Sequence, residues 1–234
     1  MAATATLSVE EVPQGESLAL HKDHISANEL DLKDPYVSAS LGLFVIHNVI
    51  RRNLAACARN AKTVKPSDLT PFVFYATYTL YVLEDQLESV DTIWFPKFAE
   101  YDERFKEQVA AHAPLRESVS ALQAMLKSTT LQDNVGTQVS DAFEQLGQKV
   151  EAQFDTEENL VNELGRRVPI NEIRPLEKQQ EARRMSQAKT YGQLWTAVYL
   201  LRGLDPKERA IFPPGIPKLV VSGMLTAGAL QFRK

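Results

Sequence analysis

From about Val37 onward, apolar residues in this chain recur at three- and four-residue steps in one segment after another, and the alternating pattern of a strand is almost nowhere present. In SASLGLFVIHNVIRRNLAACARNA, Leu43, Phe44, His47, Ile50, Arg51 and Leu54 share one helical face, while Arg52, Arg59 and Asn60 point elsewhere. Lys65-Pro66-Ser67-Asp68 then breaks the pattern and supplies capping residues, with Pro71 in the first turn of the next helix. The spacing predicts this second helix over 69–95 stopping at Pro96, a third over 102–127, and a fourth over 134–167 stopping before Pro169. Amphipathic helices of this length, joined by short links, predict an all-α fold, an antiparallel four-helix bundle. Only 10 of 234 residues are Gly, and no Asn-Gly or Asp-Gly dipeptide offers a hairpin turn.

The organisation expected from this pattern is a polar N-terminal arm (1–35), a helical bundle (36–170), and a C-terminal part (171–234) that packs on the bundle as one domain with it. That last part holds a charged helix over about 172–189, an aromatic and apolar one over about 191–204, the rigid Phe212-Pro213-Pro214-Gly215-Ile216-Pro217 segment and a final apolar stretch. The final stretch is too apolar for a loose tail and is expected to pack on the bundle or cap one end. The uncharged runs 69–83 and 219–232 are shorter than the ~18–20 apolar residues that span a bilayer. The N-terminus has neither the basic nor the apolar region of a secretory signal, so a cytoplasmic protein without a transmembrane segment is expected. A net charge of -4 leaves no basic surplus for phosphates, which argues against nucleic acid as a partner. The single cysteine, Cys57, cannot form an internal disulfide.

No phosphate-binding loop, nucleophile elbow, paired CxxC or HExxH is present. Cys57 lies among small residues and reads as a buried, inert thiol. His21 and His24 belong to the polar arm. His47 and His112 each fall on the apolar stripe of a core helix, where two readings stay open: hydrogen-bonded core histidines, or the mark of a site inside the bundle. Tyr75, Tyr78 and Tyr81 recur every three residues beside Phe72 and Phe74, as packing or as a pocket wall. Pro114, between His112 and Arg116, either begins a new helical turn or kinks the third helix.

His47-Asn48-Val49-Ile50-Arg51, Ile93-Trp94-Phe95-Pro96, His112-x-x-x-Arg116 and Asp155-Thr156-Glu157-Glu158 come in the order and spacing of the helix signatures of hemerythrin-like proteins, which the chain resembles over about residues 40–217. The Phe212–Pro217 segment is similar to the Phe-Pro-Pro segment of fungal members. That family holds two irons with one histidine on helix 1, His-x-x-x-Glu on helices 2 and 4, and His-x-x-x-His on helix 3. The resemblance places these positions on His47, on Gln86 and Val90, on His112 and Arg116, and on Phe154 and Glu158. Three of the seven could bind metal, and a cation at Arg116 would repel iron, so the resemblance implies a dismantled centre with no metal and no cofactor. The carboxylates Glu84, Asp85, Glu88 and Asp91 on helix 2 lack a Glu-x-x-His partner, and Glu84, Asp85 and Glu88 are expected on a solvated face.

What replaces iron suggests an apolar pocket with a few convergent donors. Arg116 is expected to be buried against Glu158 and to grip a carboxylate or polarise a carbonyl. His112, His47 and Gln86 would orient or donate to the substrate, while Phe44, Leu83, Val90, Phe154, Tyr75 and Tyr78 would fold its hydrocarbon part. The resemblance implies a cofactor-free cyclase or isomerase of fungal secondary metabolism. Its substrate would be an apolar terpenoid or polyketide, and an intramolecular Diels–Alder cycloaddition is the form expected. The alternatives are a non-catalytic ligand-binding or scaffold protein of the same fold, and a surviving iron-binding relative.

Overall fold

The computed structural model describes residues 17–128, 136–213 and 217–231, which are helical with no strand among them. Helix α1 (Pro35–Ala61) starts where the sequence supplies a cap. The Asp34 carboxylate accepts the Tyr36 N–H at 2.9 Å, and Pro35, with no N–H to leave unpaired, takes the first turn. Helix α2 (Leu69–Ser89) follows a 3₁₀ turn at Pro66–Asp68. The expected uninterrupted run to Pro96 does not form. From Val90 to Trp94 the backbone widens into a π turn, in which the Phe95 N–H reaches back five residues to the Val90 carbonyl. The short α3 (Phe95–Phe98) then carries the chain through Pro96, whose missing N–H is not needed in a first turn.

The expected third helix is two. α4 (Arg104–Ala111) ends at His112, and α5 (Ala113–Leu126) restarts with Pro114 in its first turn, so the proline opens a helix rather than bending one. Helix α6 (Gln138–Leu164) stops at Gly165, whose φ of 54° favours a residue without Cβ, and not at the following proline. The expected start of this helix at 134 lies outside the described residues. Then come α7 (Ile170–Tyr191), α8 (Gln193–Gly203), the single-turn α9 (Pro206–Arg209) with its Asp205/Glu208 capping box, and α10 (Lys218–Gln231).

Helix α1 packs against α2 and α6, and α5 packs against the same two; α8 lies on α1 and α10, and α7 contacts α1, α8 and the π turn. The segment before α1 is tied down as well. Leu20 and Ile25 are buried, and the Asn162 amide on α6 donates to the Leu20 carbonyl and accepts its N–H. Val221, Met224 and Leu225 of α10 pack on the core, whereas Leu219 is 85% exposed. No helix among the described residues is long and apolar enough to cross a membrane.

The buried apolar residues form two clusters rather than one. The changeover falls between Val49 and Ile50 on α1, between Leu87 and Val90 after α2, between Phe105 and Leu115 across α4 and α5, and between Phe154 and Leu160 on α6. His47, Asp91, His112, Glu157 and Glu158 all lie at or beside these changeovers, so a polar layer divides the hydrophobic core.

Candidate functional site

That polar layer is a chain of charge-assisted hydrogen bonds. Arg116 on α5 donates to Asp91 Oδ2 at 2.8 Å; Asp91 Oδ1 lies 2.8 Å from His112 Nδ1, and His112 Nε2 lies 2.6 Å from Glu157 Oε1 on α6. His47 Nε2 comes to 3.7 Å from Glu157 Oε2, and its Nδ1 lies 2.9 Å from Glu158 Oε1. Arg51 donates to the same Glu158 oxygen through NH1 at 2.7 Å, to Asp155 through NH2 at 2.9 Å and to Glu151 through Nε at 2.6 Å, where Lys22 joins them. Glu158 can only accept from Arg51, so His47 Nδ1 is the donor to it, and His47 turns its Nε2 toward Glu157. That nitrogen and Glu157 Oε2 are both buried without a hydrogen-bond partner among the described residues.

Burial disfavours a charged His112, but the hydrogen bonds to Asp91 and Glu157 outweigh it and raise the imidazole pKa to about 9. His112 is therefore a cation clamped between two carboxylates, with both nitrogens donating and no lone pair to offer a metal. Gln86 lines a cavity, Val90 and Phe154 carry no donor atom, and Arg116 lies against Asp91, so the residues do not fit the di-iron centre of hemerythrin-like proteins. Among the described residues no group of three or more His, Cys, Asp or Glu is arranged to hold a metal ion.

The expected Arg116–Glu158 pair does not exist. Arg116 is 38% exposed and bonded to Asp91, while Glu158 belongs to His47 and Arg51. The π turn is the reason: the extra residue rotates Asp91 toward α5, and α6 turns Glu157 rather than Glu158 toward His112. Nor are the helix 2 carboxylates merely solvated. Glu84 accepts from Gln123, and Asp85 and Glu88 accept from Arg183 on α7. Cys57 is fully buried, and burial pushes its thiol up to about 12, as suits an inert group.

The apolar cavity lies on the other side of the π turn. It has a volume of about 490 Å³ and is enclosed by the first turns of α1 (Ser38 to Leu43), by Trp94, Phe95 and Phe98, by one face of α7, and by Phe212 and Pro213. Of the residues expected to meet substrate, Gln86 and Val90 line it. His47, His112, Arg116 and Glu158 form the polar layer instead, and Phe154 stacks on His47 at 3.6 Å with an interplanar angle of 8°. Phe44 and Leu83 are buried in the two core clusters. The Tyr78 hydroxyl donates to Thr196, and Tyr75 lines a second cavity with Arg52, Trp195, Tyr199 and Arg202.

Sequence reasoning missed Glu157, the functional placing of Asp91, and the whole α7 wall. That wall presents Glu177, Gln180, Glu181 and Arg184 to the first cavity. Ser89 and the Trp94 indole both donate to Gln180, which fixes it, while Glu177 and Arg184 make no hydrogen bond or ion pair with another described residue. Burial raises the Glu177 carboxyl above its ordinary range, with the Arg174 charge acting the other way. The sequence shows α7 only as a charged helix, and its charge density hides which residues face inward.

Compared with known proteins, the chain is 57% identical over 223 residues, 94% of its own length and 99% of the other's, to the xanthocillin biosynthesis cluster protein F of Aspergillus fumigatus. No family model and no solved structure matches it.

Proposed function

Since the chain belongs to the family of the xanthocillin biosynthesis cluster protein F, we propose that it serves fungal secondary metabolism by holding an apolar small-molecule intermediate in the α1–α7 cavity and cyclising or isomerising it without a cofactor. The cavity carries this reading. Its volume of about 490 Å³ lies within the range of small-molecule sites, and its walls are aromatic with a few polar groups. An intramolecular cycloaddition asks a site for little beyond shape and a donor for a carbonyl, which the Gln86 amide supplies beside Val90 and Trp94. Glu177 favours isomerisation: a carboxylate that lines the cavity, is made more basic by partial burial and has no hydrogen-bond partner among the described residues can take a proton from one carbon of a bound molecule and return it to another.

His112, His47, Arg116 and Glu158 are proposed as positioning residues, because they hold Asp91 and α6 and thereby fix the π turn that carries Val90 and Trp94. Phe44, Leu83 and Phe154 would back this layer. The closed set of contacts among α1, α2, α5 and α6 supports an antiparallel four-helix bundle of hemerythrin-like type, and the packing of α7 and α8 on it supports a single domain.

The test begins with metabolite profiles of a fungus carrying the cluster, with and without the gene. The intermediate that accumulates in the deletion strain should be converted by purified protein in buffer containing EDTA. Glu177→Gln should slow an isomerisation by about 10²-fold or more, whereas a cycloaddition should feel it little and respond to Gln86→Leu. Tight binding of the intermediate without turnover would overturn the enzyme reading in favour of a carrier.

A further inference from the structure

Arg184 points at the same cavity from α7, across from Gly42 on α1, where a Cβ would stand 4.0 Å from its guanidinium. The residue opens to the cavity mouth, yet the protein packed around its guanidinium lowers its pKa, with only the Asp85 charge acting the other way. Asp85 is already engaged by Arg183, which binds it through Nε at 2.9 Å and NH2 at 2.6 Å. No carboxylate comes within ion-pair distance of Arg184 among the described residues, so a cation stands at the cavity mouth with no counter-charge of its own and its fork open to an incoming anion.

Resting on the cavity reading, we propose that Arg184 is the anchor for a carboxylate, so that the cavity takes an apolar or aromatic small molecule bearing one carboxylate group. The planar fork of guanidinium matches two coplanar oxygens. A single free cation balances one negative charge. A phosphate dianion would stay half-compensated, with Glu181 one turn away on the same helix adding repulsion. Glu177 lies seven residues earlier on α7, roughly 10 Å along its axis, which leaves the length of a small molecule between the anchor and the carboxyl proposed to move a proton. Trp94, Phe95, Phe98 and Phe212 supply the apolar wall for the remainder of the ligand.

The probes are 2-naphthoate and its neutral isostere 2-naphthamide, titrated calorimetrically into the full-length protein. Wild type should bind naphthoate about tenfold or more tightly than naphthamide, the worth of a charge-assisted hydrogen bond. Arg184→Met should erase that preference while keeping naphthamide binding, and should fold normally because Arg184 has no internal partner to lose. Arg184→Lys should keep part of it. Gly42→Leu, which grows into the space opposite the guanidinium, should weaken both probes. Equal affinities for the two probes in wild type, or an unchanged preference in Arg184→Met, would overturn the carboxylate anchor and leave the apolar cavity standing. Failure of both probes to bind wild type would overturn the anchor and the cavity reading together.

Discussion

At the scale of single residues, the protonation of His112 is the feature with the clearest thermodynamic consequence. Its pKa is about 9 in the folded chain, where burial is outweighed by the Asp91 and Glu157 hydrogen bonds, against about 6.5 in an unfolded one. A group whose pKa rises on folding stabilises the fold below its unfolded pKa, and that stabilisation is lost as pH climbs through the folded value. Urea unfolding should therefore show the full contribution at pH 6 and its disappearance by about pH 9 to 10, a difference on the order of 1–3 kcal/mol. In His112→Gln the same pH span should produce a visibly flatter dependence. Equal slopes in the two proteins would mean that His112 is neutral and not clamped. Arg116, expected from the sequence to share this buried role, is instead a surface partner, given its exposure and single bond to Asp91.

At the scale of elements, the close approach of α8 to α1 depends on Gly203. A Cβ there would stand 2.7 Å from Val49 Cγ1 and 3.0 Å from Asn53 Nδ2. Val49 is β-branched and locked in its helix, and the Asn53 carbonyl oxygen already accepts from Tyr75, so neither neighbour can step aside. Gly203→Ala should cost about 1–3 kcal/mol in denaturant unfolding, the usual penalty of overpacking. A midpoint equal to wild type would show that α8 rides further from α1 than the structure has it. The π turn is the second decisive element, because its widened backbone faces the polar layer with Asp91 and the cavity with Val90 and Trp94.

For the whole molecule, the polar layer and the cavity share that one joint, so damage to one should be felt in the other. Asp91 does not line the cavity. Asp91→Asn should nonetheless weaken naphthoate binding a few-fold while the variant remains folded, because Val90 and Trp94 lose their hold on α5. Unchanged binding in a folded Asp91→Asn would separate the two regions and remove the positioning role proposed for His112 and Arg116.

The helical character of the chain and the burial of His47, His112 and Cys57 were legible in the sequence, because each depends on local spacing or on the chemistry of one residue, whereas Pro114 read equally as a restart or a kink. Helical periodicity fixes which residues lie on an inward stripe, and Phe44, Leu83, Val90 and Phe154 are buried as that stripe requires. It cannot fix how two helices are rotated against each other. Neighbouring residues on a helix point roughly 100° apart, so a modest rotation of α6 decides between Glu157 and Glu158 as the partner of His112. One extra residue in a π turn likewise carries Asp91 from an outer face to the core. Whether Arg184 looks into a cavity or out to solvent was settled only when α7 folded back over α1 and the π turn, contacts between segments far apart in the chain that no local pattern encodes.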